Sequence, residues 1–196
     1  MSGVIRLYSL QQPPVRRAIE EDGVCYSKQA YVEKKYGESA PLFVHNYRWF
    51  VSRAAALLPP PEGASFPYWA FRDLYNIEGG PLQENCLTLE VPTDQAVFFD
   101  AADWTRIMQL RPLCGDPAEE RRIRDELTAR GITAQKAVLS PFYPDLRQTI
   151  VSTWDRLFRH HEEVLAGDFS GCEGGIQAGL WCIRRDWIIP GTAPKN

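Results

Sequence analysis

No run of apolar residues in this chain approaches the roughly 18 that a membrane span requires. The first dozen residues, Met1 to Gln12, lack the apolar core of a secretory leader, and a strand-like run begins at Val4, so no signal peptide is expected. The five cysteines, Cys25, Cys86, Cys114, Cys172 and Cys182, are odd in number and form no Cys-x-x-Cys pair. That excludes a locally encoded zinc site or dithiol motif and predicts free, mostly buried thiols in a reducing compartment. Histidine is scarce. His160 and His161 are adjacent and cannot share a helix face, and no His-Glu-x-x-His run occurs, so no metal site is expected and the histidines read as solvated or helix-end residues. Gly-x-Ser-x-Gly is absent, which removes the usual signature of a serine hydrolase. Basic charge is not in excess: the net charge is −3, against a broad nucleic-acid footprint, although a local basic patch stays open. A cytoplasmic protein that does not enter the membrane is the expectation.

What is present is enough for one compact domain. The 196 residues, 44% of them hydrophobic, can bury a core without a metal or disulfide. Residues 1–190 are expected to form that domain, with a charged helical elaboration at about 114–131 and a loose tail at 191–196. Aromatic residues make up 12% of the chain, enough to line a cleft as well as a core.

Val4 to Gln11 reads as a strand that Pro13 and Pro14 stop. Val15 to Asp22 reads as a helix ended by Gly23, and Ser27 to Tyr36 as a second one. Leu42 to Leu58 is the clearest helix, because Phe43, Tyr47, Phe50, Ala54 and Leu57 recur at steps of three and four. Phe66 to Leu74 reads as extended. Cys86–Val91 and Ala96–Phe99 are two further strands. Asp100 or Asp103 caps a helix running to about Leu110. Asp116-Pro117 opens a charged helix ending at Gly131, in which Glu120/Arg124, Arg121/Asp125 and Arg122/Glu126 stand at i,i+4. Tyr143 to Arg159 is a helix, the glycine-rich turn Gly171 to Gly175 precedes a last strand, Ile176 to Ile183, and a short element holds Trp187 to Ile189. The mixture is α+β and not an alternating βαβ series.

Several polar residues stand where apolar ones are expected: Gln11 at the end of the first strand, Arg48 and Arg53 on the apolar helix, Glu90 and Gln177 inside strands. A polar group in a core strand costs stability unless it is satisfied. A solvated position serves Arg48 and Glu90 equally well.

These residues carry a resemblance. Arg6-Leu7-Tyr8-Ser9-Leu10-Gln11, Tyr47-Arg48-Trp49-Phe50, Pro67-Tyr68-Trp69-Ala70-Phe71, Leu87-Thr88-Leu89-Glu90-Val91-Pro92 with Asp100 and Trp104, and Ile176-Gln177-Ala178-Gly179-Leu180-Trp181 resemble, in order, the bacterial family of unknown function DUF3841. More distantly, a first strand ending in Leu-Tyr and a polar residue, a short helix closed by Gly, and a late strand with an acidic or amide residue resemble ADP-ribosyltransferase domains. That likeness implies a small split or highly bent mixed β-sheet packed by several helices, with NAD in a cleft between two small sheets. It implies Ser9 or Gln11 on a ribose of NAD, Tyr47 or Trp69 stacking on nicotinamide, Arg48 beside the cofactor and Gln177 in the late-strand position. Glu90 or Glu173 would be the acid that stabilises an oxocarbenium-like transition state. Ser9 stands where the likeness calls for His or Arg, and Gln177 where it calls for Glu.

Three readings follow. An NAD-dependent ADP-ribosyltransferase-like enzyme acting on a macromolecular target requires Gln11, Arg48, Glu90 and Gln177 to converge on one aromatic-lined pocket. A non-catalytic module binds a nucleotide, or a protein, in the same cleft. A nucleic-acid-directed protein requires Arg16, Arg17, Arg48, Arg53, Arg184 and Arg185 to form a patch.

Overall fold

The computed structural model describes residues 3–77 and 85–190. The chain opens with β1 (Val4–Leu10), α1 (Pro13–Asp22), β2 (Val24–Tyr26), α2 (Gln29–Tyr36) and α3 (Ala40–Leu57). Then come β3 (Tyr68–Phe71), β4 (Cys86–Pro92), β5 (Val97–Asp100) and α4 (Ala101–Met108). It closes with α5 (Pro117–Ala129), α6 (Ala134–Leu139), α7 (Pro144–Thr153), α8 (His161–Leu165), β6 (Ile176–Leu180) and β7 (Cys182–Arg184). The expected tail at 191–196 lies outside the described residues.

Local chemistry explains the boundaries. Prolines occupy the first turn of α1, where no amide donor is needed, and Gly23 ends it at φ 79° with its N–H on the Ile19 carbonyl. The Asp100 carboxylate accepts from the amides of Ala102 and Asp103 and starts α4. Asp116 does the same for α5 through Ala118 and Glu119.

Five strands form one sheet in the order β4-β1-β3-β6-β5, and β2 pairs with β7 in a second. Every pairing among these strands is antiparallel, which corrects the expected mixed sheet. The reason lies at Asp100. After the long helical excursion the chain returns beside the end of β5, with Ile176 opposite Asp100, and β6 therefore runs back along it.

Side chains alternate across the sheet, so its two faces carry separate cores. One face holds Phe50, Trp69, Phe99, Trp104 and Trp154 beneath α3, α4 and α7. The other holds Leu7, Ile19, Leu89, Phe98, Ala178 and Ile183, with α1, α8 and the β2–β7 pair.

Four expectations change. The last strand is two: Trp181 lies between β6 and β7, buried, with its Nε1 donating to Leu58 O at 2.8 Å, and the chain switches sheets there. The predicted Tyr143–Arg159 helix ends as α-helix at Thr153, and its last turn is 3₁₀. The charged helix is bound to the body. Ile123 is buried, Glu119 reaches Arg156, and Glu120 reaches Arg106 in place of its expected i,i+4 partner Arg124. His161 sits at a helix end, as the first residue of α8, but is buried and not solvated. No helix among the described residues is long and apolar enough to cross a membrane.

Candidate functional site

On α3 the buried residues Val44, Tyr47, Phe50 and Ala54 repeat at helical spacing and face the sheet. The same spacing places His45, Arg48 and Trp49 at i, i+3 and i+4 on a second stripe. On α7, Pro144, Arg147, Gln148 and Val151 repeat at i, i+3, i+4 and i+7. The two stripes line one open cleft of about 460 Å³, closed at one end by Ser140 and Pro141 and walled by Trp154. A second hollow of about 380 Å³ adjoins it between α2 and α3, lined by Gln29, Glu33, Ala40, Pro41 and Val44 and sharing His45 and Arg48 with the first.

The cleft is electropositive. Arg147 has no carboxylate partner among the described residues. Arg48 has only the neutral Gln29 Oε1, at 3.2 Å. Many other guanidinium groups are paired, as Arg53 with Asp155 at 2.9 Å and Arg130 with Asp145 at 2.6 Å, while the exposed Arg121 and Arg122 also stand without an ion pair among the described residues; what marks Arg48 and Arg147 is that they line one cleft together. Burial lowers the His45 pKa below its ordinary value, and the charge of Arg147 pushes it the same way. Trp49 packs edge-on against Trp154 at 5.4 Å, and its buried indole N–H has no acceptor among the described residues. An anion set between Arg48 and Arg147 would meet two forked donors, each suited to bidentate phosphate recognition.

Of the residues named from the sequence, Arg48 alone lines this cleft. Ser9 and Gln11 hold each other: Gln11 Nε2 donates to Ser9 Oγ at 2.8 Å, and Ser9 Oγ donates to Trp69 O at 2.6 Å. Both are buried. Phe71 pairs with Tyr8 on one side and Gln177 on the other, so Gln177 shares the face of Tyr8, and Ser9 and Gln11 point to the opposite face. The two walls expected to enclose one ligand lie on either side of a sheet. Glu90 faces outward on β4 and pairs with Arg6 at 3.2 Å. Three strand spacings, roughly 14 Å, separate its strand from that of Gln177. Glu173 is exposed in the glycine-rich turn, away from the cleft. Tyr47 and Trp69 are bonded to each other, Trp69 Nε1 to Tyr47 Oη at 2.7 Å, within the aromatic core of Phe50, Phe99 and Trp104.

The six arginines of the proposed patch also separate. Arg48 and Arg53 are on α3, above one face of the sheet. Arg16, Arg17, Arg184 and Arg185 belong to α1 and the β7 end, on the other. Arg184 pairs with Asp186, and Arg185 caps the carbonyls of Ile19 and Glu20.

Sequence reasoning missed His45, Trp49, Arg147 and Gln148. The signal available was a polar repeat at three and four on each of two helices, but nothing local brings residues about a hundred positions apart together.

The model of the family described as Domain of unknown function (DUF3841) matches residues 6–189. No curated protein and no solved structure matches the chain.

Proposed function

The chain belongs to the DUF3841 family, and from that premise we propose that it is a nucleotide-binding domain whose site is the cleft between α3 and α7, with NAD or a related phosphate-bearing ligand as occupant. The observation that carries this reading is the pair of guanidinium groups, Arg48 and Arg147, that face one cleft without a carboxylate between them. Two cations held together uncompensated repel each other, and a phosphate relieves that repulsion while accepting their hydrogen bonds. His45 supplies a third donor to such an anion once it is protonated. The partly exposed indole of Trp49, backed by the buried Trp154, suits a partly apolar ligand.

Binding follows from this arrangement more directly than ADP-ribosyl transfer does. Transfer needs an acid beside the ribose to stabilise the oxocarbenium-like state. Glu90 and Gln177, the pair expected from the resemblance, do not line the cleft. No carboxylate lines the cleft itself; Glu33 lines the adjoining hollow that shares His45 and Arg48 with it, and accepts from Gln29 Nε2 at 2.6 Å. In the transferase version of this reading Glu33 takes the acid role, and Glu33→Gln then abolishes nicotinamide release from NAD while leaving NAD affinity within a few-fold.

Titration of NAD, ADP and pyrophosphate, followed by calorimetry and by the fluorescence of Trp49 and Trp154, tests the site. Each hydrogen bond from a charged group is worth about 1.5–3 kcal/mol, so Arg48→Ala and Arg147→Ala should each weaken binding by at least tenfold. Unchanged affinity for all three ligands in both variants would overturn the assignment.

A further inference from the structure

The most exposed large apolar side chain among the described residues lies between cleft-wall residues in the chain. Phe142 is 83% exposed, and its neighbour Leu139 is 55% exposed. The turn that carries Phe142 is not loose. Pro141 and Pro144 restrict the backbone on both sides, and the amide of Phe142 donates to Ser140 Oγ at 3.2 Å. Ser140, Pro141 and Pro144 are themselves part of the cleft wall. A constrained turn thus presents a phenyl face to solvent just outside the lining of the cleft that holds Arg48 and Arg147, on the segment that supplies part of its wall. Cationic donors with an adjacent free aromatic face form the chemical complement of a phosphate joined to a nucleobase.

Resting on the cleft assignment above, we infer that Phe142 is the base-stacking residue of the site, and that the ligand is a free nucleotide whose phosphates lie between Arg48 and Arg147. Inorganic polyphosphates and sugar phosphates would use the arginines and leave the ring idle. A long nucleic-acid strand is disfavoured by the net charge of −3.

The test compares ADP with pyrophosphate on the full chain. Phe142→Ala should weaken ADP by about tenfold, the order expected for loss of one base–aromatic stack, and leave pyrophosphate unchanged. Phe142→Trp should keep ADP affinity and add a fluorescence quench with ADP that pyrophosphate does not produce. Because the ring is exposed, neither variant should shift the unfolding midpoint. Equal ADP affinity in wild type and Phe142→Ala overturns the inference, and so does an equal loss for ADP and pyrophosphate. A single-stranded oligonucleotide that outcompetes ADP through Arg147 overturns the free-nucleotide assignment. The two levels separate cleanly: if Arg147→Ala abolishes pyrophosphate binding while ADP ignores Phe142, the cleft stands and the stacking role falls. If pyrophosphate ignores both Arg48 and Arg147, the cleft itself falls.

Discussion

His161 offers a sharp test of how this fold closes its edge. Phe98 lies on β5, an outer strand of the five-stranded sheet, where an outward amide has no neighbouring strand to bond. Its N–H donates to Nδ1 of His161 at 3.1 Å, and His161 is 5% exposed. An Nδ1 that accepts must be unprotonated, so the neutral ring carries its proton on Nε2. Burial lowers the pKa of His161 below its ordinary value of 6.5, and the nearby charge of Glu162 opposes this only in part. Above pH 6.5 both folded and unfolded chains hold a neutral imidazole there. Below it the unfolded chain gains a proton that the folded chain refuses. Stability is therefore complete above 6.5 and falls as pH drops from 6.5 to the lower folded pKa, at about 1.4 kcal/mol per pH unit for this group. His45, lowered by burial and by Arg147, adds a slope of the same sign. His161→Leu keeps an apolar contact with Phe98 but leaves its buried amide without an acceptor, a loss of about 1–3 kcal/mol at pH 7.5. Urea unfolding from pH 7.5 to 5 reads both effects. The variant should be less stable at pH 7.5 and lose stability less steeply on acidification than wild type. An unchanged slope, or unchanged stability at pH 7.5, would refute the role given to His161.

Two further outcomes are expected. A Cβ on Gly174 would meet the Ala102 amide at 2.7 Å and crowd the Asp100 carboxylate, so Gly174→Ala should destabilise the start of α4 by about 1–3 kcal/mol, seen as a lower urea midpoint at unchanged m-value. An anion in the cleft raises the lowered His45 pKa, and binding therefore takes up a proton. On acidification wild type should therefore gain pyrophosphate affinity relative to His45→Gln in calorimetry, a comparison from which the ligand's own protonation and the charges of Arg48, Arg147 and Glu33 cancel.

Much of the fold was legible because it is encoded by short-range rules. Asp100 and Asp116 announce helices through their carboxylates, Pro13 and Pro14 allow a strand to stop and a helix to begin, and Gly23 ends that helix in a left-handed turn. The apolar face of α3 was visible in its spacing. Less was legible at Trp181, where one apolar run serves two sheets, and at α5, where Glu120 pairs with Arg106 on α4 and not with Arg124 one turn away.

By itself the sequence determined the class of the fold and most element positions, and it marked Gln11 and Gln177 as exceptions to an apolar pattern. It could not determine what those exceptions face. Alternation says which residues of one strand share a side, but relating Ser9 to Gln177 requires the order and register of the strands between them, and Tyr8, Phe71 and Gln177 are joined only by pairings far apart in the chain. The candidate site has the same origin. Its two stripes lie on α3 and α7, and only the packing of both helices on one face of the sheet brings Arg48 and Arg147 to a common cleft.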